Sequence, residues 1–325
     1  MKLLFLGTVS ATPTRTRNLS ATAIQTDAHK TWYLVDCGEG TQHQLLKTPL
    51  SLQNLQAIFI SHQHGDHCFG LPGLLATASL NGRQHRLTLV APKAVCDFVQ
   101  GVINSINIKL GFELALIQID SLNNHLEFDH LDIEIALLSH SVPSYAFKFI
   151  EKNIPLKLDL AKLAAQGIAS GPHYGHLQTG QDIDYQGRHL RSQDYTFPSW
   201  STRRVIVCGD NDTPAILGNF VDGVQLLVHE ATYTEQHLLQ QGAGIDHTSA
   251  KRIAEFAQSH SLPSLALTHF SARYHTSAKK PENSLSRLEA EARQHYHGSL
   301  FMMQDFDQLI IGKDGSCTQK TLKTF

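Results

Sequence analysis

The chain of 325 residues lacks long apolar runs, and no stretch approaches the roughly 18 consecutive apolar residues that a transmembrane helix needs. Charged residues of both signs are also few: they make up 17% of the chain, and the formal net charge is −2. This balance excludes a uniformly basic nucleic-acid-binding protein but not a local basic patch. The apolar stretch at the N-terminus is too short for a signal peptide. We therefore expect a cytoplasmic protein without membrane association.

Cysteine is scarce, with five residues at irregular spacing. An odd number without a regular pattern argues against a disulfide framework and favours reduced thiols. Hydrophobic residues reach 42%, which is enough for a sizeable core in a chain of this length. Histidine, in contrast, is abundant at 20 copies. Such a number reflects either compositional drift or metal binding, and the positions of the histidines must decide.

Short apolar runs alternate with helix-type stretches, which predicts helices packed outside a sheet core. Strands are predicted over residues 2–6, 33–35, 57–60, 87–90, 133–138, 205–208, 225–228 and 265–267. Helices are predicted over residues 41–47, 72–79, 92–103, 213–220, 234–241, 248–260 and 282–295. The apolar period fades between residues 151 and 201, which predicts a protruding insertion. Within it, the glycine-rich stretch 167–180 is not expected to hold a regular helix.

Metal-ligating residue types follow several predicted strands. One strand leads into SHQHGDH, and three others end at a single His or Asp; another ends at His229 and Glu230. The seven candidate ligands are His62, His64, Asp66, His67, His140, Asp210 and His269. Since strand ends meet at the crevice of an α/β sheet, we expect these side chains to converge.

The H-x-H-x-D-H cluster has a geometric logic of its own. His62 and His64 point the same way in an extended backbone, and Gly65 permits a turn that brings the following Asp and His to the other side. One short loop could thus serve two adjacent metals. A donor set of imidazole and carboxylate suits zinc or manganese with open positions for water. Cys68 and Cys208 adjoin the ligands, but we interpret them as small buried hydrophobic residues.

This arrangement, H-x-H-x-D-H followed by distant His, Asp and His, resembles the signature of the metallo-β-lactamase fold. Further stretches resemble ribonuclease Z, the endonuclease that matures tRNA 3′ ends, in its short bacterial form. They are FLGT (5–8), PTRTRN (13–18), DCGEGTQHQLL (36–46), FISHQHGDHCFGLPGLL (59–75), HSVPSY (140–145), GD (209–210), HEAT (229–232), HTSA (247–250) and THFSARY (268–274). The resemblance implies a single domain over residues 1–325, a four-layered αβ/βα sandwich. Residues 151–201 would form an inserted flexible arm that grips the tRNA far from the metals.

The resemblance also implies two zinc ions per chain, with manganese as the alternative, bridged by Asp210. The ligands of the first ion would be His62, His64 and His140. The ligands of the second ion would be Asp66, His67 and His269. No organic cofactor is implied.

Three residues would carry proton transfer and orientation if the resemblance holds. Asp66 would orient or deprotonate the attacking water. Glu230 and His247 would form a charge-coupled pair in which His247 assists departure of the 3′ oxygen. Substrate contacts would come from Arg15, Arg17, Ser271, Arg273 and Tyr274, and in the arm from Gly171 and Gly175. The partner would be precursor tRNA, and a homodimer would let the arm of one subunit serve the active site of the other.

Three other interpretations compete with this one. A hydrolase of the same fold could cleave thioesters, lactones or sulfate esters, but the arm, PTRTRN and HFSARY argue against it. A non-catalytic RNA-binding relative should have lost ligands, and all seven are present. A diiron redox protein usually needs more carboxylate ligands and a flavin domain. The sequence leaves open which metal is loaded, whether 3′ ends are also trimmed, and how a CCA end acts.

Overall fold

The computed structural model describes residues 1–27, 30–107, 109–242, 244–276 and 280–322. Its strands, in chain order, are β1 (Lys2–Gly7), β2 (Ala21–Gln25), β3 (Trp32–Val35), β4 (Leu55–Phe59), β5 (Leu87–Ala91), β6 (Leu114–Gln118), β7 (His125–Glu127), β8 (Leu131–Leu138), β9 (Ser144–Glu151), β10 (Leu156–Leu158), β11 (Ile183–Tyr185), β12 (Arg188–Leu190), β13 (Thr196–Pro198), β14 (Arg204–Cys208), β15 (Leu226–Glu230), β16 (Ser264–Thr268), β17 (Ser299–Met302), β18 (Asp307–Ile311) and β19 (Cys317–Thr321). One large sheet has the strand order β19-β18-β1-β2-β3-β4-β5-β6, and the other has the order β17-β16-β15-β14-β9-β8-β7.

The α-helices, in chain order, are α1 (Thr41–Leu45), α2 (Gly65–Cys68), α3 (Leu71–Leu80), α4 (Lys93–Ser105), α5 (Leu160–Ala165), α6 (His173–Gln178), α7 (Ser192–Tyr195), α8 (Glu235–Gln241), α9 (Ala250–Ser259) and α10 (Leu285–His295). The helix predicted over 213–220 is instead a 3-10 segment, Pro214–Val221, interrupted at Gly218, whose φ of 43° and ψ of −130° are not helical. No helix in the described ranges is long and apolar enough to cross a membrane.

The two sheets pack face to face, because alternate residues of each strand point to opposite sides. Phe5 lies in the core between the sheets, whereas its neighbours Leu4 and Leu6 lie in a second core on the outer face. Across the interface, the ring of Phe59 in β4 lies 5.3 Å from that of Phe147 in β9. Residues of α3 and α4 cover the outer face of the first sheet, and residues of α9 and α10 cover that of the second. The expected four-layered α/β sandwich is confirmed.

The segment between β9 and β14, residues 152–203, folds largely on itself. Strand β10 pairs with β13 as a stem, and β11 pairs with β12 farther along. Five buried side chains form a separate small core: Leu163, Ile168, Leu177, Leu190 and Tyr195. The expectation that 167–180 holds no helix is wrong, because α6 forms there with the Leu177 side chain buried in this core.

Candidate metal centre

The carboxyl ends of strands from both sheets meet on one side of the sandwich. His62 lies three residues after the end of β4, Asp210 two residues after β14, and His269 directly after β16. The parallel pairing of β3 with β4 and of β14, β15 and β16 with one another places these strand ends side by side. Gly209 lets the strands approach closely, since a Cβ there would lie 2.4 Å from the Cβ of Ser61.

The first group of candidate ligands contains three histidines with their ring nitrogens facing one another. His62 Nε2 lies 3.1 Å from His64 Nδ1, and His140 Nε2 lies 3.2 Å from the same Nδ1 atom. Together with Asp210, they place one potential ligand atom each within 4.8 Å of all the others. His62 is fully buried, whereas His64 is partly accessible. The group therefore has one side open toward solvent.

The second group contains Asp66, His67 and His269. The Nε2 atoms of His67 and His269 lie 3.2 Å apart. Asp66 Oδ2 lies 3.4 Å from the His269 Nε2 and 3.7 Å from the His67 Nε2. These three ligand atoms also lie within 4.8 Å of one another.

Asp210 lies between the two groups and presents one oxygen to each. Its Oδ2 atom is 3.6 Å from His62 Nε2 and 3.8 Å from His140 Nε2. Its Oδ1 atom is 3.4 Å from His67 Nε2 and 3.4 Å from His269 Nδ1. The structure thus brings together all seven candidate ligands, in the two sets expected from the sequence.

Hydrogen bonds behind the ligands orient their rings. Asp36 accepts a hydrogen bond from His67 Nδ1 at 2.7 Å, which leaves Nε2 to face the centre. The same carboxylate accepts from the amide and the hydroxyl of Ser61, and the Ser61 hydroxyl lies 3.0 Å from His62 Nδ1. His140 Nδ1 donates to the Asp246 carbonyl at 2.6 Å. Asp36 is not among the candidate residues predicted from the sequence, although it lies in DCGEGTQ, directly after a predicted strand.

The electrostatics of this region follow from burial and from three acidic side chains. Burial would lower the pKa of His67, but the carboxylates of Asp210, Asp36 and Asp66 raise it to about 10. Burial and the neighbouring histidines hold the pKa of His62 well below its usual value. The site thus favours a positive charge at His67, whereas the ring of His62 beside it stays neutral. Bound cations with neutral nitrogen ligands would satisfy both conditions.

The donor set fits zinc. Zinc–nitrogen bonds of about 2.0–2.1 Å in a tetrahedron place neighbouring nitrogens about 3.3 Å apart, close to the 3.1 and 3.2 Å separations observed here. Neither Cys68 nor Cys208 belongs to a group of potential ligands in the described residues. Burial raises the pKa of the Cys68 thiol to about 12, so it stays protonated and is a poor ligand.

His247 lies at the edge of the centre and is paired with a buried carboxylate. Its Nδ1 atom is 3.1 Å from Glu230 Oε2 and 3.2 Å from Oε1. Glu230 also accepts from the amides of Asn211 and Thr248 at 2.8 and 3.3 Å, and from the hydroxyl of Thr232. Although burial opposes the effect, Glu230 raises the pKa of His247 to about 9. The protonated form of His247 is therefore favoured at neutral pH.

His247 also forms a third group of potential ligands with Asp210 and His269. Its Nδ1 atom lies 3.8 Å from Asp210 Oδ2, but the same atom is hydrogen-bonded to Glu230 at 3.1 Å. A metal bound through Nδ1 would have to break that pairing. The pairing with Glu230 therefore competes with metal binding at this nitrogen.

The two arginines of PTRTRN have opposite environments. Arg15 is exposed. Arg17 is buried, and its Nη1 atom donates to the Thr8 hydroxyl at 2.6 Å and to the Met303 carbonyl at 2.7 Å. Its guanidinium lies over the ring of Phe270. The structure therefore does not place Arg17 at an open phosphate site, contrary to the expectation, and gives it a role in holding the loop.

The SARY stretch, residues 271–274, also contains both buried and partly exposed side chains. Tyr274 is buried, and its hydroxyl accepts from the Thr234 amide at 3.0 Å, so it does not reach the surface as a substrate contact would. Ser271 and Arg273 are partly exposed. The Arg273 guanidinium covers the ring of Tyr233, which in turn lies 6.3 Å from the His247 ring. Of the arm residues, Gly171 precedes α6 and Gly175 lies within it, exposed.

A family model described as "Anti-Pycsar protein Apyc1" matches residues 1–162. The chain is 47% identical over 315 residues to ribonuclease Z from Pseudomonas putida strain W619, covering 97% of this chain and 98% of that one.

Two solved structures are similar over nearly the whole chain. The short form of human tRNase Z has a TM-score of 0.66 at 25% identity, with 96% of this chain and 100% of that chain covered. A metallo-beta-lactamase fold protein from Bacillus subtilis has a TM-score of 0.63 at 17% identity, with 98% and 99% covered. The second likeness concerns the fold alone.

Proposed function

Because the chain belongs to the ribonuclease Z family, we propose that it is a metal-dependent endoribonuclease that removes 3′ trailers from tRNA precursors. The cut leaves a 3′-hydroxyl on the tRNA and a 5′-phosphate on the trailer. The observation that carries this proposal is the convergence of seven nitrogen and oxygen ligands beside the paired His247 and Glu230. The rival activity on small esters requires neither an arm nor basic residues beside the centre.

We assign two zinc ions to the centre, with manganese as the alternative. Asp210 faces both positions and would bridge them. The first ion would be held by His62, His64 and His140. The second ion would be held by Asp66, His67 and His269. When bound, zinc would lower the pKa of a water molecule and neutralise negative charge on the phosphodiester.

Asp66 and Asp36 have different tasks in this proposal. Asp66 is partly accessible, and its Oδ2 atom accepts from the Ala11 amide at 2.7 Å. Its carboxylate can therefore orient the attacking water or receive its proton. Asp36 is buried and reaches His67 rather than the cleft, so it fixes the ring orientation of that ligand.

His247 is the proton donor to the departing 3′ oxygen. Its Nδ1 atom is occupied by Glu230, which leaves Nε2 as the nitrogen that can deliver a proton. Glu230 stabilises the imidazolium and holds the ring in one orientation. A 3′ alkoxide is a poor leaving group, so this proton contributes most in the transition state.

Substrate contacts are assigned to the exposed side of the centre and to the arm. Arg15 on the exposed loop, and Arg273 with Ser271 beside Tyr233, would contact phosphates. The arm, with Gly171 and Gly175, would bind the tRNA at a distance. Five acidic and five Lys or Arg residues lie between positions 151 and 201, so at neutral pH the arm contributes shape rather than net charge.

We further propose a cytoplasmic homodimer. Leu46 is 75% exposed, Leu80 is 88% exposed and Phe69 is 60% exposed, and they lie on or next to α1, α2 and α3. Exposed apolar side chains of this size on neighbouring helices support an interface between copies. The five cysteines are all free thiols, which agrees with a reducing compartment.

A substitution of one ligand tests the metal proposal. His64→Ala removes a partly accessible ligand without touching the cores, so the protein should fold, bind less zinc and cleave precursor tRNA about 100-fold more slowly or worse. His85→Ala, at an exposed histidine outside the centre, is the matched control. Zinc content by elemental analysis and cleavage rate should both fall in the first variant only. A folded His64→Ala protein with normal cleavage would refute the assignment.

A further inference from the structure

The loop formed by residues 9–18 is hydrogen-bonded to the metal centre at Asp66 and at Phe270, the residue that follows His269. The amides of Thr8 and Val9 both donate to the Asn18 carbonyl, at 2.9 and 3.1 Å, and close the loop at its base. The Ser10 amide donates to the carbonyl of Phe270 at 3.0 Å, and the Phe270 amide donates to Thr8 at 3.1 Å. Since Phe270 follows His269 directly, the loop and this ligand share one backbone framework.

Among the hydrogen bonds of the described residues, that of the Ala11 amide is the one that joins this loop to a candidate ligand. This amide donates to Asp66 Oδ2 at 2.7 Å, and the φ of Ala11 is +59°. A left-handed conformation is unfavourable for a non-glycine residue, so it persists only where the surroundings enforce it. Asp66 Oδ2 is also the oxygen that faces His67 and His269. The amide therefore fixes the direction in which Asp66 presents its remaining lone pair.

A carboxylate outside the centre holds both ends of the loop. Asp305 Oδ1 accepts from the Thr8 hydroxyl at 2.7 Å, and its Oδ2 accepts from the Asn18 amide at 2.7 Å and from Gln44 Nε2 at 2.9 Å. Arg17 completes the attachment by donating to the same Thr8 hydroxyl at 2.6 Å. Thr8 and Asn18 are the residues at which the loop closes, so a change at Asp305 acts on the whole loop.

We infer that Asp305 is a positioning residue for one of the two metal sites, the group of Asp66, His67 and His269. Its hydrogen bonds to Thr8 and Asn18 hold the loop so that the Ala11 amide stays on Asp66. Asp305 thereby sets the metal affinity of this group. The other group, with His62, His64 and His140, has no contact with the loop among the hydrogen bonds of the described residues. The inference rests on the proposed function in that it takes Asp66 as a ligand.

Zinc retention against a chelator tests this inference without reference to activity. Asp305→Ala should release one of two zinc ions at about tenfold lower chelator concentration, while the other ion is held as in the wild type. Asp120→Ala is the matched control, because the Asp120 carboxylate also accepts from a side-chain hydroxyl, that of Tyr145 at 2.8 Å, but makes no hydrogen bond to the loop or to residues 304–307 among the described residues. It should retain both ions normally.

If the alanine variant does not fold, Asp305→Asn, which keeps one acceptor oxygen, takes its place in the test. It should show the same selective release of one zinc ion to a smaller degree. Wild-type retention of both ions by a folded Asp305 variant would overturn the inference, and so would equal weakening of both ions. A failure of the two-metal proposal would instead show in the wild type, as fewer than two bound ions, and would remove the inference with it.

Discussion

At the scale of single residues, two side chains of the centre sit on left-handed backbone. The φ angle is +61° at Asp36 and +55° at His269. Such conformations cost non-glycine residues about 1–3 kcal/mol each and are retained where packing enforces them. At Asp36 the turn follows β3 and brings the carboxylate onto His67. At His269 it follows β16 and brings the ring between Asp66 and Asp210. The unfavourable backbone conformation at these two residues thus lowers the stability of the fold, while it directs their side chains toward the centre.

The Glu230 and His247 pair gives a pH-dependent prediction. Because Glu230 raises the pKa of His247 to about 9, the proton-donating form dominates below that pH, and cleavage should fall as pH rises through it. Glu230→Gln removes the negative charge, so the alkaline limb of the kcat profile on precursor tRNA should move toward the usual histidine pKa of about 6.5. Glutamine keeps an acceptor for the Asn211 amide. His247→Ala should lose the limb altogether; an unmoved limb in Glu230→Gln would refute the pairing.

Candidate residues could be predicted from the sequence where a local motif indicates their chemistry. The prediction failed where the function depends on whether a side chain points into the core or to the surface. All seven candidate ligands could be named because His and Asp after strand ends are few and distinctive. Positions 15 and 17 of PTRTRN are both arginine, yet only Arg15 is exposed and Arg17 is buried. Tyr274 looked like a surface contact in HFSARY but is buried against Thr234. Neither outcome follows from composition, because the loops follow no periodic pattern.

At the scale of elements, strands with a clear apolar run were predicted within a few residues. Strand β9, SYAFKFIE, was missed because it is buried along almost its whole length and interrupts its apolar residues with Lys148. Helix α6 was missed because glycine weighs against a helix in isolation, whereas the buried Leu177 provides tertiary packing that offsets this. The proposed arm boundary at Glu151 is also too early, since Glu151 ends β9 and accepts from the buried Arg203 at 2.8 Å.

The arm can be removed at its stem to separate binding from chemistry. The Ser199 amide donates to the Pro155 carbonyl at 2.8 Å, so residues 156–198 can be replaced by two glycines while Glu151 and Arg203 keep their pairing. We expect this variant to lose cleavage of precursor tRNA but to hydrolyse a nitrophenyl phosphodiester at nearly the wild-type rate, because the metal ligands are untouched. Normal tRNA cleavage by the truncated protein would show that the arm is not a binding site.

At the scale of the whole molecule, the centre depends on both sheets. His62 and His67 follow a strand of the first sheet, whereas Asp210 and His269 follow strands of the second. The aromatic contacts between the sheets, such as Phe59 with Phe147, therefore also set the distance between ligands. The sandwich itself could be predicted from the motif resemblance, but the pairing of sheets that aligns these strand ends depends on contacts far apart in sequence.

The proposed homodimer gives a prediction on assembly. Light scattering at micromolar concentration should report twice the mass of 36.0 kDa. Leu46→Glu places a charge among the exposed apolar side chains near α1 and should shift the protein toward monomer without unfolding it. Leu239→Glu is the matched control, since Leu239 is 68% exposed on α8, away from these helices in sequence. A wild-type protein that is monomeric under these conditions would contradict the proposal.

The central claim, that this metal centre cuts tRNA precursors at their 3′ ends, is tested most directly by mapping the products of one reaction. Zinc-loaded protein is incubated with a precursor tRNA carrying a 3′ trailer, and the new ends are identified. We predict a cut at the 3′ end of the tRNA, with a 3′-hydroxyl on the tRNA and a 5′-phosphate on the trailer, and its loss in Asp210→Ala. An intact precursor after incubation with folded, zinc-loaded protein that still hydrolyses small esters would contradict the account.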